Sequence, residues 1–439
     1  MRLIVVGLSH KTAPVEQREK ASLSDAAMRA LLRDLHAGGV TREAVALSTC
    51  NRTEVYAAAE DLSAAEDALL AAFVQRSRID PSELRCAGYT HRDGRAAQHL
   101  LRVAASLDSM VLGESEIQGQ VSSGWHVAAE EQSVGPVLNQ LFRHALSTGK
   151  RVRTETGIGR GPISVSSVAV RLARESLADL AQRRVLLIGA GQVAEAAIGA
   201  LVAEGVQEVV VANRTVAAAR ALAARVGGRG VGFDCLPAEL AEADLVISST
   251  DAPHLVLARD DVATAMAARP ERPMVLIDIA VPRDLEDTIG DLAGVCLHDI
   301  DDLERVVEAS LNGRRPEAER AEVLVAEELA RFVAWRRTVT AAPVVASLHG
   351  KAETIRRQEI ARLDGQWESL SDLDRARIET LTRVIIGKLL YEPTVRLRAA
   401  VQEGDGVAYL ESLRHLFDLE TAGHGSSAKT GSDREEQEQ

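Results

Sequence analysis

The stretch VLLIGAGQVAEAA, Val185 to Ala197, decides how the middle of this chain folds. Four apolar residues in a row read as a buried strand, and a helical pattern begins within a few residues. Between them Gly189, Gly191 and Ala194 stand in GxGxxA spacing. The first glycine permits a tight turn, the second lets the backbone approach a pyrophosphate, and the small third residue lets helix and strand pack closely. The helix N-terminus then presents N–H groups to phosphates. Gly189, Ala190, Gly191, Gln192, Val193 and Ala194 are therefore candidate cofactor-binding residues.

Outward from this turn, EVVVANR, DLVISST and MVLIDIA read as further strands and AAARALAARVG as a helix. Strands separated by helices imply a parallel sheet, so this block, closing near Leu303, is a Rossmann-type domain. Its second strand ends in Asn213-Arg214-Thr215, where an NAD-specific site would place Asp or Glu for the ribose hydroxyls. An acid would repel a 2′-phosphate, whereas Arg214 can pair with it and Asn213 and Thr215 can add neutral hydrogen bonds. NADPH is the expected cofactor, a surface arginine after a strand being the alternative.

Upstream, LIVVGLS, AVALST and EVYAAAE read as strands, with SDAAMRALLRDLHAGG a helix capped by Ser24 and stopped at Gly38. From about Arg95 to Arg153 the apolar spacing is helical, and TGIGRGPIS, Thr156 to Ser164, reads as a connection. From Glu317 onward the chain is long helices, with Pro343 expected to separate two of them. TAGHGSSAKTGSDREEQEQ has no apolar period and reads as a disordered tail. The expected fold is α/β: an N-terminal α+β domain over 1–155, the Rossmann-type domain over 156–310, an extended all-helical domain for association over 311–420, and the tail over 421–439.

Composition narrows the functional classes. A chain of 439 residues with 46% hydrophobic positions can bury more than one core. Its four cysteines lie far apart without CxxC spacing, which argues against a metal knuckle or a disulfide frame, so no metal is expected. The first apolar run is too short for a signal sequence, and none reaches membrane-spanning length without a charge; a cytoplasmic protein is expected. A net charge of -13 opposes non-specific attraction to nucleic acid, so any such contact must be local.

LSTCNRTEVY, Leu47 to Tyr56, puts Cys50 in the turn between two strands. On its own Cys50 reads as a small buried hydrophobe rather than a nucleophile. Its neighbours add another reading: Arg52, two residues on, favours a thiolate, and Thr49 and Asn51 can hold a polar substrate. A thiol beside an NADPH domain suits the reduction of an acyl group, since a thioester accepts hydride more readily than an ester.

GLSHKTAPVEQRE, LSTCNRTEVY, LDSMVLGESEIQGQV, VLLIGAGQVA, ANRT and VLIDIAVPRDLE, in this order, resemble glutamyl-tRNA reductase over most of the chain. The resemblance implies a V-shaped homodimer of three-domain chains, joined through the helical domain. It also implies that glutamyl-tRNA is reduced to glutamate-1-semialdehyde, the first precursor of tetrapyrroles by the five-carbon route. By position it implies that Cys50 attacks the aminoacyl ester and releases the tRNA, that NADPH reduces the resulting thioester, and that His99 assists. Thr49, Asn51, Arg52, Ser109, Glu114, Ser115, Glu116 and Gln120 would surround the glutamyl group, with Arg52 at its side-chain carboxylate and Glu114 and Glu116 at its ammonium. It further implies hand-over of the labile aldehyde to glutamate-1-semialdehyde aminomutase. Without the resemblance a lone histidine in an apolar helical pattern reads as structural, and His10, Asp278 and Arg283 stay ambiguous between a site and a structural role.

Arg143, Lys150, Arg151, Arg153 and Arg160, with Arg383, Lys388, Arg396 and Arg398, are the basic residues expected to meet tRNA phosphates, solvated helix faces being the alternative. Two other readings stay open. A shikimate-dehydrogenase-like reductase would use the nucleotide domain alone and leave Cys50 idle. A redox-sensing dimer binding NADPH and RNA would form no product.

Overall fold

The computed structural model describes residues 1–114, 116–159, 165–250, 252, 254–310, 315–363, 371–403 and 406–419. Ser115, Arg160 and the 421–439 tail singled out above lie outside the described residues. The chain forms two compact units, Met1–Leu329 and Ala330–Gln439.

The first unit holds two sheets. Strands β1 (Arg2–Ser9), β2 (Thr41–Ser48), β3 (Arg52–Ala59) and β4 (Tyr89–Arg92) make an antiparallel sheet in the order β2-β3-β1-β4. The Asp25–Ala37 helix joins β1 to β2, and Ser24 caps it by accepting the Ala27 N–H at 3.3 Å, with Gly38 following its last turn. Strand β3 is central, and all eight of its residues are buried, Arg52, Thr53 and Glu54 included. Charges in such a strand must find partners inside the protein, because water cannot reach them. Strand β4, only four residues long, gives no periodic signal in the sequence.

The second sheet is parallel and six-stranded: β5 (Arg184–Ile188), β6 (Glu208–Ala212), β7 (Arg229–Val231), β8 (Leu245–Ser248), β9 (Met274–Asp278) and β10 (Val295–His298). Its order, β10-β9-β8-β5-β6-β7, reverses direction between β5 and β8. Ligands of such sheets bind beyond the carboxyl ends of the strands at this reversal. Gly189 ends β5 there with φ of 111°, and a Cβ on it would lie 2.7 Å from the Ser249 carbonyl oxygen, so only glycine fits. Ala194, 1% exposed, packs the following Gln192–Ala203 helix onto Val185 and Leu187 in one apolar cluster. A larger side chain there would cost about 1–3 kcal/mol in overpacking.

In the second unit, Ala341, Val344, Val345 and Leu348 meet Leu397, Val401 and Leu410 in a small core. The expectation that Pro343 divides two helices is corrected: one helix, Arg315–Leu363, runs through it. A mid-helix proline costs about 3 kcal/mol. Burying each neighbouring valine returns about 1.5–3 kcal/mol, enough to keep the helix whole. On the Asp372–Glu403 helix, Leu381, Ile385 and Leu389 are exposed at four-residue spacing and so share one face. Among the described residues no helix is long and apolar enough to cross a membrane.

Candidate active site

The β2–β3 turn is folded by its own polar groups. The Thr49 hydroxyl accepts the N–H groups of Asn51 and Arg52, both at 3.2 Å, and the Thr49 N–H donates to the Arg52 carbonyl at 2.8 Å. The Asn51 carbonyl is held by the His10 N–H at 2.8 Å. Thr49 therefore shapes the loop that presents Cys50. A cleft opens at this turn, lined by Thr49, Cys50, Asn51, Arg52, Ser109, Glu114, Glu116, Ile117, Gln120 and Val165. Of the substrate-binding candidates named from the sequence, all but the undescribed Ser115 meet here. Gly113, φ 84°, turns the Ser106–Glu114 loop back so that Glu114 reaches the cleft. A side chain at Gly113 would strike the Ile158 carbonyl.

At the cleft, Asn51 Oδ1 and Arg52 Nε are buried without a hydrogen-bond partner among the described residues. Protein interiors rarely leave such atoms unmatched, and in a cleft they mark where a ligand's polar groups fit.

Arg52 does not act on the thiol as the sequence reading supposed. Its guanidinium points into the sheet, donating from Nη1 to Glu54 Oε1 at 2.7 Å and Asp108 Oδ2 at 3.2 Å, and from Nη2 to the Asp108 carbonyl. Burial and the Glu114 carboxylate push the Cys50 thiol up to about 12, and Arg18, not Arg52, is the cation that opposes them. The correction is geometric: Arg52 opens β3, and its partners on that strand and at Asp108 claim it. Arg18 reaches the turn from the Val15–Ala21 helix, its Nη1 donating to the Cys50 carbonyl at 2.8 Å.

Behind Arg52 lies a buried polar network. Glu54 accepts from His99 Nε2 at 2.8 Å and from the Tyr56 and Tyr89 hydroxyls at 2.5 Å each. Burial pushes the Glu54 carboxyl up, but His99 and Arg52 together hold it below the usual carboxylate range. His99 thus meets the cleft through Glu54 and Arg52 and is not among its lining residues. Glu114 is different: burial raises its carboxyl to about 7, against the lowering effect of the Ser109 hydroxyl, and burial likewise raises Glu116. His10 is buried, lowered to about 3 by burial and then by Arg52, and sits 3.5 Å from Glu304.

Asp278 and Arg283 are occupied elsewhere. Asp278 accepts the Ala280 and Leu285 N–H groups at 3.0 and 2.8 Å, and Arg283 Nε pairs with Glu19 at 2.9 Å. At the nucleotide turn, Gly191 caps the Gln192–Ala203 helix without any side-chain hydrogen bond, and a Cβ placed on it would touch nothing within 4 Å. Open space over uncapped N–H groups fits a pyrophosphate. Arg214 and Thr215 are exposed beyond β6, and Asn213 Nδ2 bonds the Thr215 carbonyl at 3.3 Å. The residues present therefore fit a dinucleotide with a 2′-phosphate.

Residues 6–156 match the family described as Glutamyl-tRNAGlu reductase, N-terminal domain, and residues 320–419 match its dimerisation domain. Residues 171–306 match Shikimate / quinate 5-dehydrogenase, a likeness confined to the nucleotide-binding half. The glutamyl-tRNA reductase of Syntrophotalea carbinolica is 41% identical over 438 residues, covering 100% of this chain and 98% of that protein. The chain belongs to the glutamyl-tRNA reductase family. The glutamyl-tRNA reductase of Rubrobacter xylanophilus is 43% identical, covering 96% of this chain and 98% of its own. Among solved structures, glutamyl-tRNA reductase from Methanopyrus kandleri superposes with a TM-score of 0.50 at 34% identity, covering 95% of this chain and 99% of that one.

As a glutamyl-tRNA reductase the protein uses NADPH to reduce glutamyl-tRNA to glutamate-1-semialdehyde, releasing tRNA, at the start of tetrapyrrole synthesis. The reaction passes through a thioester, and the chain works as a homodimer. Sequence reasoning missed Arg18, Glu54 and Asp108 as parts of this site. Glu54 carried a usable signal, since Arg52, Glu54 and Tyr56 alternate along one strand and so face the same way. Arg18 carried none beyond its place in GLSHKTAPVEQRE.

Proposed function

We propose that the cleft at the β2–β3 turn receives the glutamyl ester and that Cys50 is the residue acylated. The observation that carries this is one thiol sharing a cleft with the unmatched buried Asn51 Oδ1 and Arg52 Nε and with the Glu114 carboxyl. Arg52 and Asn51 take the glutamyl polar groups, Glu114 and Glu116 the ammonium, with Ser109 and Gln120 completing the wall. Glu114 makes activation depend on substrate. After burial, its charge is the next largest cause that raises the Cys50 thiol, so pairing it with an ammonium removes that part of the opposition and lowers the thiol when an ester is present.

His99 works through Glu54, fixing Arg52, so its part is positioning. When bound, NADPH supplies the hydride that reduces the thioester carbonyl. Gly189 to Ala194 would hold its pyrophosphate and Asn213, Arg214 and Thr215 its 2′-phosphate. Residues 1–155 serve the substrate, 156–310 the cofactor and 311–420 the pairing of chains. The exposed Leu381, Ile385 and Leu389 face suits that pairing.

For tRNA, Arg143 and Lys150 are exposed on the Pro136–Glu155 helix and free to meet phosphates locally, whereas Arg151 pairs with Glu155 and Glu327, both at 2.8 Å. Arg153 is part-buried toward Glu114. Of the late-helix cations, Arg383 and Arg396 pair with Glu379 and Glu392 one turn away, which leaves Lys388 and Arg398 as the better candidates. A cytoplasmic location and transfer of the aldehyde to glutamate-1-semialdehyde aminomutase complete the reading. Co-purification of the two enzymes at native salt tests the transfer.

The deciding experiment supplies NADPH with glutamyl-tRNA, uncharged tRNA or free glutamate. Semialdehyde is expected only from the charged species, and Cys50→Ala should abolish it. Parental turnover by Cys50→Ala would remove the assignment.

A further inference from the structure

The Val15–Ala21 helix binds the parallel-sheet half of the first unit at two points. Arg283 donates to Glu19 from its backbone N–H at 2.6 Å and from Nε at 2.9 Å. Asp301, in the first turn of the Ile300–Ser310 helix that follows β10, accepts the Val15 N–H at 3.1 Å through Oδ2 and the Arg18 Nη2 through Oδ1. Arg18 also touches the nucleophile loop, through the 2.8 Å bond from Nη1 to the Cys50 carbonyl. Its side chain is only 2% exposed. One planar guanidinium therefore has one arm on the Cys50 backbone and the other on the NADPH-binding half.

We propose that Arg18, anchored by Asp301, is a positioning residue that fixes the distance from the Cys50 loop to the NADPH-binding half and thereby sets how the glutamyl thioester divides between reduction and hydrolysis. This rests on the reading that Cys50 is the acylated residue. The loop's other polar ties, through the Thr49 hydroxyl and the His10 N–H, stay within the antiparallel-sheet half. They preserve the loop's shape but not its separation from the cofactor. The His10 ring does reach across to Glu304, at 3.5 Å, but burial keeps it neutral, so it exerts little pull.

Both fates of the thioester begin at one carbon. In hydrolysis a water oxygen bonds to the acyl carbon, the C–S bond breaks, and sulfur takes a proton, giving glutamate and the thiol. In reduction hydride from NADPH bonds to that carbon, the C–S bond breaks, and sulfur takes a proton, giving the aldehyde and the thiol. Water reaches the carbon from any open direction, whereas hydride must come from one fixed position about 3–3.5 Å away. Slackening the tie therefore harms reduction selectively, a misplacement near 1 Å being worth about 100-fold.

The test uses the full-length homodimer with glutamyl-tRNA and compares the parent with Asp301→Asn, which removes the anchor's charge and one of its two acceptor oxygens and leaves Arg18 and the cleft in place. Asp301→Glu serves as the conservative restoration. Three quantities are read: tRNA release without NADPH, the ratio of glutamate to semialdehyde at saturating NADPH, and amide exchange of the Thr49–Arg52 segment. For Asp301→Asn, tRNA release should stay within about twofold, the ratio should rise about tenfold or more, and exchange in the segment should quicken. Asp301→Glu should bring the ratio back toward the parent. An Asp301→Asn enzyme with the parental ratio overturns the proposal, whether or not its total activity falls. If the parent forms no acyl group on Cys50, the reading beneath the proposal fails instead, a result visible before any variant is made.

Discussion

Arg52 Nη1 and Glu54 Oε1 lie 2.7 Å apart, and neither side chain is exposed to solvent. Taking two such charges out of water is costly, and their attraction repays it only while both are present. Glu54→Ala should therefore destabilise the protein by about 3–5 kcal/mol, because the Arg52 charge is left buried with less compensation. The double variant Arg52→Met/Glu54→Leu should regain much of that loss while remaining inactive. Urea unfolding of the single and double variants checks this, and equal losses in both would contradict it.

Glu114 gives the protein a pH signature. Its carboxyl is raised to about 7 in the folded state from the ordinary value of 4.5. A raised carboxyl favours the folded state below the unfolded value, and that contribution is lost as pH climbs to the folded one. Stability should therefore fall between about pH 4.5 and 7, at roughly 1.4 kcal/mol per pH unit from this group. Glu114→Gln should flatten that slope. Thermal midpoints recorded across the window for parent and variant measure the difference.

The thiol should be slow toward alkylating agents, since at about 12 it is almost wholly protonated at neutral pH. Its alkylation rate should climb through pH 9 without a plateau. Glu114→Gln should quicken alkylation by removing a charge that raises the thiol, and Arg18→Gln should slow it by removing one that lowers it. Peptide mass analysis separates Cys50 from the exposed Cys86 and Cys296. The same rate in all three proteins would refute the electrostatic account.

Arg214→Asp should weaken NADPH relative to NADH by about 10- to 100-fold, the worth of one charge-assisted contact to a 2′-phosphate. The ratio of Michaelis constants for the two cofactors is the readout. An unchanged preference would move 2′-phosphate recognition away from β6.

What the sequence made legible follows from distance along the chain. The strand, glycine turn and helix at Val185–Ala197 are contiguous, and each local preference agrees with its neighbours, so the parallel sheet and its cofactor turn could be read directly. Thr49 to Arg52 were legible for the same reason. Ser109, Glu114, Glu116 and Gln120 were not, since only a tertiary fold brings them to the turn; the family resemblance supplied them. Arg18 and Asp301 stand 283 positions apart, a separation that no periodicity can bridge. Arg52 misled because proximity in sequence suggested an effect on the thiol, whereas strand geometry aimed it at Glu54. Strands β4, β7 and β10 escaped notice because three or four residues are too few to show alternation.

The pairing of Ser48 with Thr53 across the β2–β3 ladder leaves four residues, Thr49 to Arg52, to make the bend. Adding or deleting one residue here would shift β3 by one position, and a one-position slip swaps the two faces of a strand. Arg52, Glu54 and Tyr56 would trade places with Thr53 and Val55, stranding ions in oil and unseating the sulfur in a single stroke. Loop length is thus a heritable constraint as strict as the identity of any catalytic atom, and a gap of one residue at this bend in a relative's sequence would be a stronger sign of lost activity than most substitutions around it.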